Sequence, residues 1–120
     1  MTALIENALT KVATVSGINM QTSAAQTLYT VPTGKTFYPV AVVVRNNSAS
    51  LAGGTDYDFT TWRQTVDLSG LTVTTGFRVL YATDNTTYTP IAAGGTFQVT
   101  VATGATAAGT ATFDVFGYLV

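Results

Sequence analysis

Two aspartates, Asp56 and Asp58, are the residues of this sequence whose type and spacing best suit chemistry. Residues two apart point to the same face of a strand, so their carboxyl groups are predicted to lie side by side. Paired carboxylates can serve as acid and base in glycoside hydrolysis, and carboxylates also bind calcium. No further acidic residue follows at the spacing of a calcium loop. We therefore interpret the pair as a solvated strand face, with calcium binding and catalysis as alternatives.

The rest of the sequence offers little that could act as a catalyst. It has no histidine and no cysteine, which removes the usual general base, the strongest nucleophile and the commonest zinc ligands. Lys11 and Lys35 are the only lysines, and neither has a serine nearby in a recognisable motif. Gly53-Gly54 and Gly94-Gly95 lack the helix that a phosphate cradle needs. We predict that the protein is not an enzyme and holds no metal or cofactor.

The aromatic residues Tyr57, Trp62, Tyr81 and Tyr88 suggest one binding alternative. Aromatic side chains at the ends of β-strands can form a platform for sugar rings. The competing interpretation is that they pack in the core or at an interface, which is the usual fate of large aromatic side chains.

The elements that would position these residues are short strands joined by turns. The predicted strands are 12–20, 26–31, 36–46, 56–62, 77–83, 96–102 and 111–120, with a short strand near 71–74 and an extended segment at 86–92. About eight antiparallel strands predict an all-β fold, a single β-sandwich, with the jelly roll as its commonest eight-stranded form. An open barrel and an immunoglobulin-like sandwich are the alternatives.

Two prolines add detail to this prediction. Pro32-Thr33-Gly34-Lys35 has the residues of a tight turn and predicts a hairpin between the second and third strands. Pro39 lies inside the third strand and cannot donate a hydrogen bond, which predicts an edge or a bulge there.

Residues 1–11 differ from the sandwich domain predicted for 12–120. The apolar residues Leu4, Ile5 and Leu9 fit one stripe of a short helix. A helix this short is marginal in isolation because its nucleation is costly. The segment is therefore predicted to be an N-terminal arm, either frayed or clasping a neighbouring subunit.

Composition narrows the set of partners. Only 9% of the residues are charged, about a fifth are threonine, and the net charge is −1. Nucleic acid requires clustered lysine and arginine, so we expect no nucleic-acid partner. The longest strongly apolar run, 40–44, is too short to span a membrane, and residues 1–9 lack the features of a secretion signal. A surface so poor in charge is badly protected against association, which suggests that other protein covers it.

The third and last predicted strands are apolar on both faces. One face of the third strand is predicted to carry Phe37, Pro39, Ala41 and Val43, and the other Tyr38, Val40, Val42 and Val44. In the last strand Phe113, Val115, Gly117 and Leu119 alternate with Asp114, Phe116, Tyr118 and Val120. If left exposed, the apolar side chains on the second face of these two strands would form a larger patch than monomers usually carry. Either part of the same chain covers them, or they form a subunit interface, most simply in a closed ring such as a trimer.

Two stretches carry a resemblance to a known group of proteins. The sequence LYTVPTGKT at 28–36, followed by a valine-rich strand ending Arg45-Asn46-Asn47, resembles a hairpin of small structural proteins of tailed bacteriophages. The ending FDVFGYL at 113–119 is similar to their last strand. The resemblance covers most of the chain from about Gln26 onward and leaves the N-terminal arm uncovered.

Within that group, a free-standing chain of this size resembles a capsid decoration (cement) protein. The resemblance implies a homotrimer that binds the major capsid protein on the capsid exterior and is assembled in the host cytoplasm. No membrane partner is expected, because the longest apolar run is too short to span a membrane. The predicted interface residues are Leu4, Ile5, Leu9, Tyr38, Phe116, Tyr118 and Val120. The alternative function is a carbohydrate- or receptor-binding module of a phage fibre or tail.

Overall fold

The fold is known from a computed structural model, which describes residues 9–61, 63–82 and 89–120, with only the backbone of Arg63 and Gln64. Within these residues the protein is all-β, as predicted, and none of them forms a helix that could cross a membrane. The strands are β1 (Thr10–Asn19), β2 (Ala25–Thr30), β3 (Thr36–Arg45), β4 (Asp56–Phe59), β5 (Arg63–Val66), β6 (Phe77–Tyr81), β7 (Ile91–Ala92), β8 (Thr96–Thr103) and β9 (Thr110–Leu119).

The strands form two antiparallel sheets, which confirms the β-sandwich. Sheet I has the order β1-β9-β3-β6, with β7 also paired to β3, and sheet II has the order β2-β8-β4-β5. The pairs are nested along the chain, because β4 pairs with β5, β3 with β6, β2 with β8 and β1 with β9. This nesting agrees with a jelly roll, which stays a prediction for the topology.

A single apolar core lies between the sheets. In β8 the predicted alternation is confirmed, because Phe97, Val99 and Val101 are buried while Thr100 and Ala102 are exposed. Phe97 meets Phe37 of sheet I edge-on, with ring centroids 6.1 Å apart. Phe59 lies 5.9 Å from Phe97 and 6.2 Å from Phe113, so aromatic contacts join the two sheets.

Pro39 marks a bulge, one of its two predicted outcomes. The pairing of β3 with β9 shifts between Pro39 and Ala41, although β3 lies in the middle of sheet I. The extra residue reverses the alternation beyond it. The predicted faces of the third strand are therefore wrong at their C-terminal end: Val42 and Val44 join Phe37 in the core.

Three further predictions about the connections need correction. The turn at 32–35 exists, with the Lys35 amide donating to the Pro32 carbonyl, but it joins β2 of sheet II to β3 of sheet I and is not a hairpin. The predicted strand near 71–74 is a loop. Its Leu71 is buried, and the Leu71 carbonyl accepts a hydrogen bond from the Leu51 amide. The single strand predicted at 56–62 is instead β4, which ends at Phe59, and β5 follows as a separate strand.

The N-terminal arm is described only at its end. β1 begins at Thr10, so Thr10 and Lys11 of the predicted arm lie in the sheet, and Leu9 is exposed just before it. Leu4 and Ile5 lie outside the described residues. The arm therefore stays a prediction, as does its contact with a neighbouring subunit.

Candidate interaction surface

Sheet I turns one face to the core and the other, its outer face, away from it. Pairing places the outer-face residues in rows across β9, β3 and β6: Tyr118 beside Tyr38; Phe116 beside Ala41 and Tyr81; Asp114 beside Val43 and Val79; Thr112 beside Arg45 and Phe77. Most of these side chains are apolar or aromatic. The outer face is thus the candidate interaction surface of the protein.

Several of the predicted interface residues lie on this surface. Tyr38 and Tyr118 are a cross-strand pair, and both are exposed. Phe116 is half-buried in the next row, and Val120 is exposed just beyond the end of β9. The two-faced pattern predicted for the last strand holds, because its alternate residues Phe113 and Val115 are buried in the core.

The most exposed part of the outer face was not among the predicted interface residues. On β6, Phe77 is 64% exposed, Tyr81 52% and Val79 37%. The strand itself was predicted from the sequence, and its alternate aromatic, valine and aromatic residues were the available signal. The third and last predicted strands stood out because they are apolar on both faces. Arg78 interrupts the apolar residues of β6, so this strand did not stand out in the same way.

One ion pair lies within this apolar surface. The Arg45 Nε donates to Asp114 Oδ2 at 2.7 Å, Arg45 Nη2 to Oδ1 at 3.3 Å, and the Thr14 hydroxyl also to Oδ1 at 2.7 Å. The hydrogen bond from Arg45 is the main cause that holds the pKa of Asp114 below its usual value, while burial acts in the opposite direction. Asp114 is 9% exposed and Arg45 38%, so the carboxylate is covered but the pair still touches solvent.

Asp114→Asn should therefore weaken the acid sensitivity of the fold. The pKa of Asp114 is lowered in the folded state, so its charged carboxylate stabilises the protein at pH values above the unfolded-state pKa of about 3.9. This contribution is lost as pH falls through the lower folded-state pKa. Solvent at Arg45 screens the interaction, so we expect a loss of about 1 kcal/mol at pH 7. Urea unfolding at pH 7 and pH 3 measures it. An equal stability difference between variant and wild type at both pH values would contradict the prediction.

The two aspartates of β4 influence each other's side chains. The pKa of Asp56 is raised above its usual value. The largest cause is a hydrogen bond with the Asp58 side chain, followed by burial of Asp56 and then by the negative charge of Asp58. Asp58 Oδ1 also accepts a hydrogen bond from the Thr65 amide at 2.7 Å, which ties it to β5. Within the part of the chain that the structure describes, no three aspartate or glutamate side chains lie together as a metal site would require.

The aromatic platform loses one of its four predicted members. Tyr57 is fully buried, and its hydroxyl donates to the Met20 carbonyl at 2.8 Å, so the packing interpretation is confirmed for this residue. Tyr81 is exposed, but it lies on β6 with the outer face of sheet I. Trp62 and Tyr88 lie outside the described residues.

Comparison with known proteins does not identify the chain. It matches no protein-family model, no curated protein and no solved structure. Its interpretation therefore depends on the physical character of the outer face, and the resemblance to small phage proteins stays a prediction.

Proposed function

We propose that this protein is a structural virion protein, a decoration protein that binds the outside of a tailed-phage head and stabilises it. The observation that carries the proposal is the outer face of sheet I, where aromatic and aliphatic side chains from three adjacent strands lie exposed. Large exposed apolar patches mark surfaces that contact other proteins. The proposal includes the jelly-roll topology, with which the nested strand pairs agree.

The energetics of such a surface suit attachment to a repetitive shell. Full burial of one large apolar side chain contributes roughly 1.5–3 kcal/mol. Tyr38, Tyr118 and Val120 are one third to one half exposed, so each supplies only a part of this, and one contact of this kind is weak. A trimer that makes the same contact with several capsid subunits gains affinity through multivalency. We therefore propose a homotrimer whose partner is the major capsid protein.

Charge supports this choice of partner over a polyanion. The chain carries 5 lysines and arginines against 6 aspartates and glutamates. On the outer face Arg45 is already paired with Asp114. Nucleic-acid and membrane binding are therefore not part of the proposal, which places the protein on the virion exterior after assembly in the host cytoplasm.

Binding to capsids tests the proposed function directly. Purified protein is mixed with phage capsids that lack their decoration protein, and the bound fraction is measured by sedimentation at increasing protein concentration. Saturable binding that raises the temperature of capsid disruption is the expected result. Retention on a glycan array without capsid binding would overturn the proposal in favour of a carbohydrate-binding module.

Tyr118→Asp should disrupt assembly far more than folding. Tyr118 is exposed on the outer face, so a carboxylate there remains solvated in the isolated chain but must be desolvated in an interface. We expect at least a tenfold loss of capsid affinity with a melting temperature within a few degrees of wild type. Thr27→Asp, on the exposed side of β2 in sheet II, is the control and should bind normally. Equal losses in the two variants would argue against a specific role for the outer face.

A further inference from the structure

The strands that end the two sheets differ in how regularly they pair. β1, β2 and β5 each pair with their neighbour through at least one register shift, and β1 has two. β6 pairs with β3 through five consecutive residue pairs without a shift. Bulges and irregular edges hinder the addition of another strand. Of these four edges, β6 is therefore the one best shaped to accept a further strand.

The backbone of β6 presents hydrogen-bonding groups at its free edge. The Ala82 amide donates to the Val40 carbonyl at 3.1 Å, so the amide of residue 82 points towards β3. The direction of the backbone amide and carbonyl groups alternates along a strand, so these groups of Leu80 and Arg78 also point towards β3. The backbone groups of Phe77, Val79 and Tyr81 then point away from β3. Within the part of the chain that the structure describes, β3 is the only strand paired with β6.

We infer that β6 pairs with β6 of a second copy of this chain, antiparallel and about a two-fold axis at Val79. The outer-face residues of β6 read aromatic, valine, aromatic in both directions. A two-fold axis at Val79 places Phe77 opposite Tyr81 of the second copy and brings the two Val79 residues together. Aromatic pairs directly across strands are among the favourable cross-strand contacts.

Charge and hydrogen bonding also fit this register. Arg78 lies opposite Leu80 of the second copy, so the two arginines do not face each other. Val79 of each copy exchanges both backbone hydrogen bonds with the other, because its amide and carbonyl face the free edge. The same patch serves both partners, as a two-fold interface requires. The occupant that matches this edge is thus a second copy of the chain.

This contact goes beyond the proposed function and does not depend on it. It uses the backbone edge of β6, whereas the energy of the proposed capsid contact was argued from the side chains of Tyr38, Tyr118 and Val120. A two-fold contact joins two monomers into a dimer, and it joins two trimers into a closed hexamer when its axes are perpendicular to the three-fold axis. In these closed assemblies the mass ratio between paired and unpaired protein is two.

Val79→Lys tests the pairing through the mass of the particle in solution. A lysine on an edge strand is a natural block to strand addition, and the Val79 side chain lies on the outer face, where a charge remains solvated. Light scattering over a range of concentrations should give half the wild-type mass for the variant. Val73 is a more exposed valine in the loop before β6, with 58% of its surface exposed against 37% for Val79, and Val73→Lys should keep the wild-type mass. If Val79→Lys folds and keeps the wild-type mass, the pairing is wrong.

Cross-linking locates the axis independently of any loss of stability. The chain has no cysteine, so Val79→Cys introduces a single thiol. Hydrogen-bonded antiparallel pairs have Cα atoms about 5.5 Å apart, within the range of a disulfide. Mild oxidation should give a covalent dimer of Val79→Cys and little of the control Val73→Cys. Equal yields in the two variants would overturn the inference, whether or not the protein binds capsids.

Discussion

Phe97→Ala should lower the free energy of unfolding by about 3–5 kcal/mol, the usual cost of removing a fully buried phenylalanine. Phe97 of β8 has no exposed surface and contacts Phe37 of β3 and Phe59 of β4. Its removal leaves a cavity between the sheets and ends an edge-on contact that joins them. Domains are typically stable by only about 5–15 kcal/mol, so the loss is a large part of the total.

Phe77→Ala is the matched control for this prediction. It is the same chemical change on β6, where the ring is 64% exposed, and at concentrations low enough to keep the chain unpaired it should change stability by about 0.5 kcal/mol or less. Urea unfolding of both variants gives the comparison. Similar losses in the two variants would mean that the ring of Phe77 is covered in the protein as it exists in solution. Comparison at several concentrations would then show whether a second copy provides the cover.

Gly117→Ala should also be strongly destabilising, by roughly 1–3 kcal/mol or more. Gly117 of β9 lies opposite Pro39 of β3, next to the bulge. A Cβ at this position would collide with the Tyr38 carbonyl oxygen and with the ring of Phe37. The carbonyl belongs to the backbone of a central strand, so relief requires movement of β3 against β9.

Gly70→Ala provides the control for Gly117→Ala. A Cβ at Gly70 meets no atom within 4 Å, so this variant should match wild type within about 0.5 kcal/mol. Thermal unfolding of both variants is the measurement. Should Gly117→Ala melt at the wild-type temperature, the close approach of β3 and β9 would have to be looser than described.

The regular parts of the fold were predictable from the sequence because their side chains alternate without interruption. In β8 and β9 the apolar core residues, such as Phe97 and Phe113, recur at every second position, although Thr112 and Asp114 of β9 are buried as well. Burial on one face is a local property of a strand, so a local pattern is enough to reveal it. The same pattern predicted which side of β9 would present Tyr118.

The third strand shows where local pattern stops being informative. Pro39 predicted an edge or a bulge, but the sequence does not indicate how many residues the bulge contains. One extra residue exchanges the faces of everything beyond it. As a result Val42 and Val44 lie in the core, where an uninterrupted alternation had placed them on the same face as Tyr38.

Pairing between distant strands could not be read from the sequence either. The turn at 32–35 has good turn residues, yet a turn motif does not specify whether the strands on either side share a sheet. Here β2 pairs with β8 and β3 with β9, about 70–80 residues further along the chain. Similarly, the segment near 71–74 is predicted to be a short strand, whereas it is a loop from which Leu71 reaches the core.

The pairing of β1 with β9 determines how the protein responds to a pulling force. Thr10, at the start of β1, lies opposite Gly117, near the end of β9, so the segments entering β1 and leaving β9 emerge at the same end of sheet I. Tension applied through these two segments breaks the strand pairs one after another, beginning at Thr10 and Gly117. A tether through both segments would peel β1 away at low force, whereas a pull perpendicular to the sheets would have to separate the whole core at once.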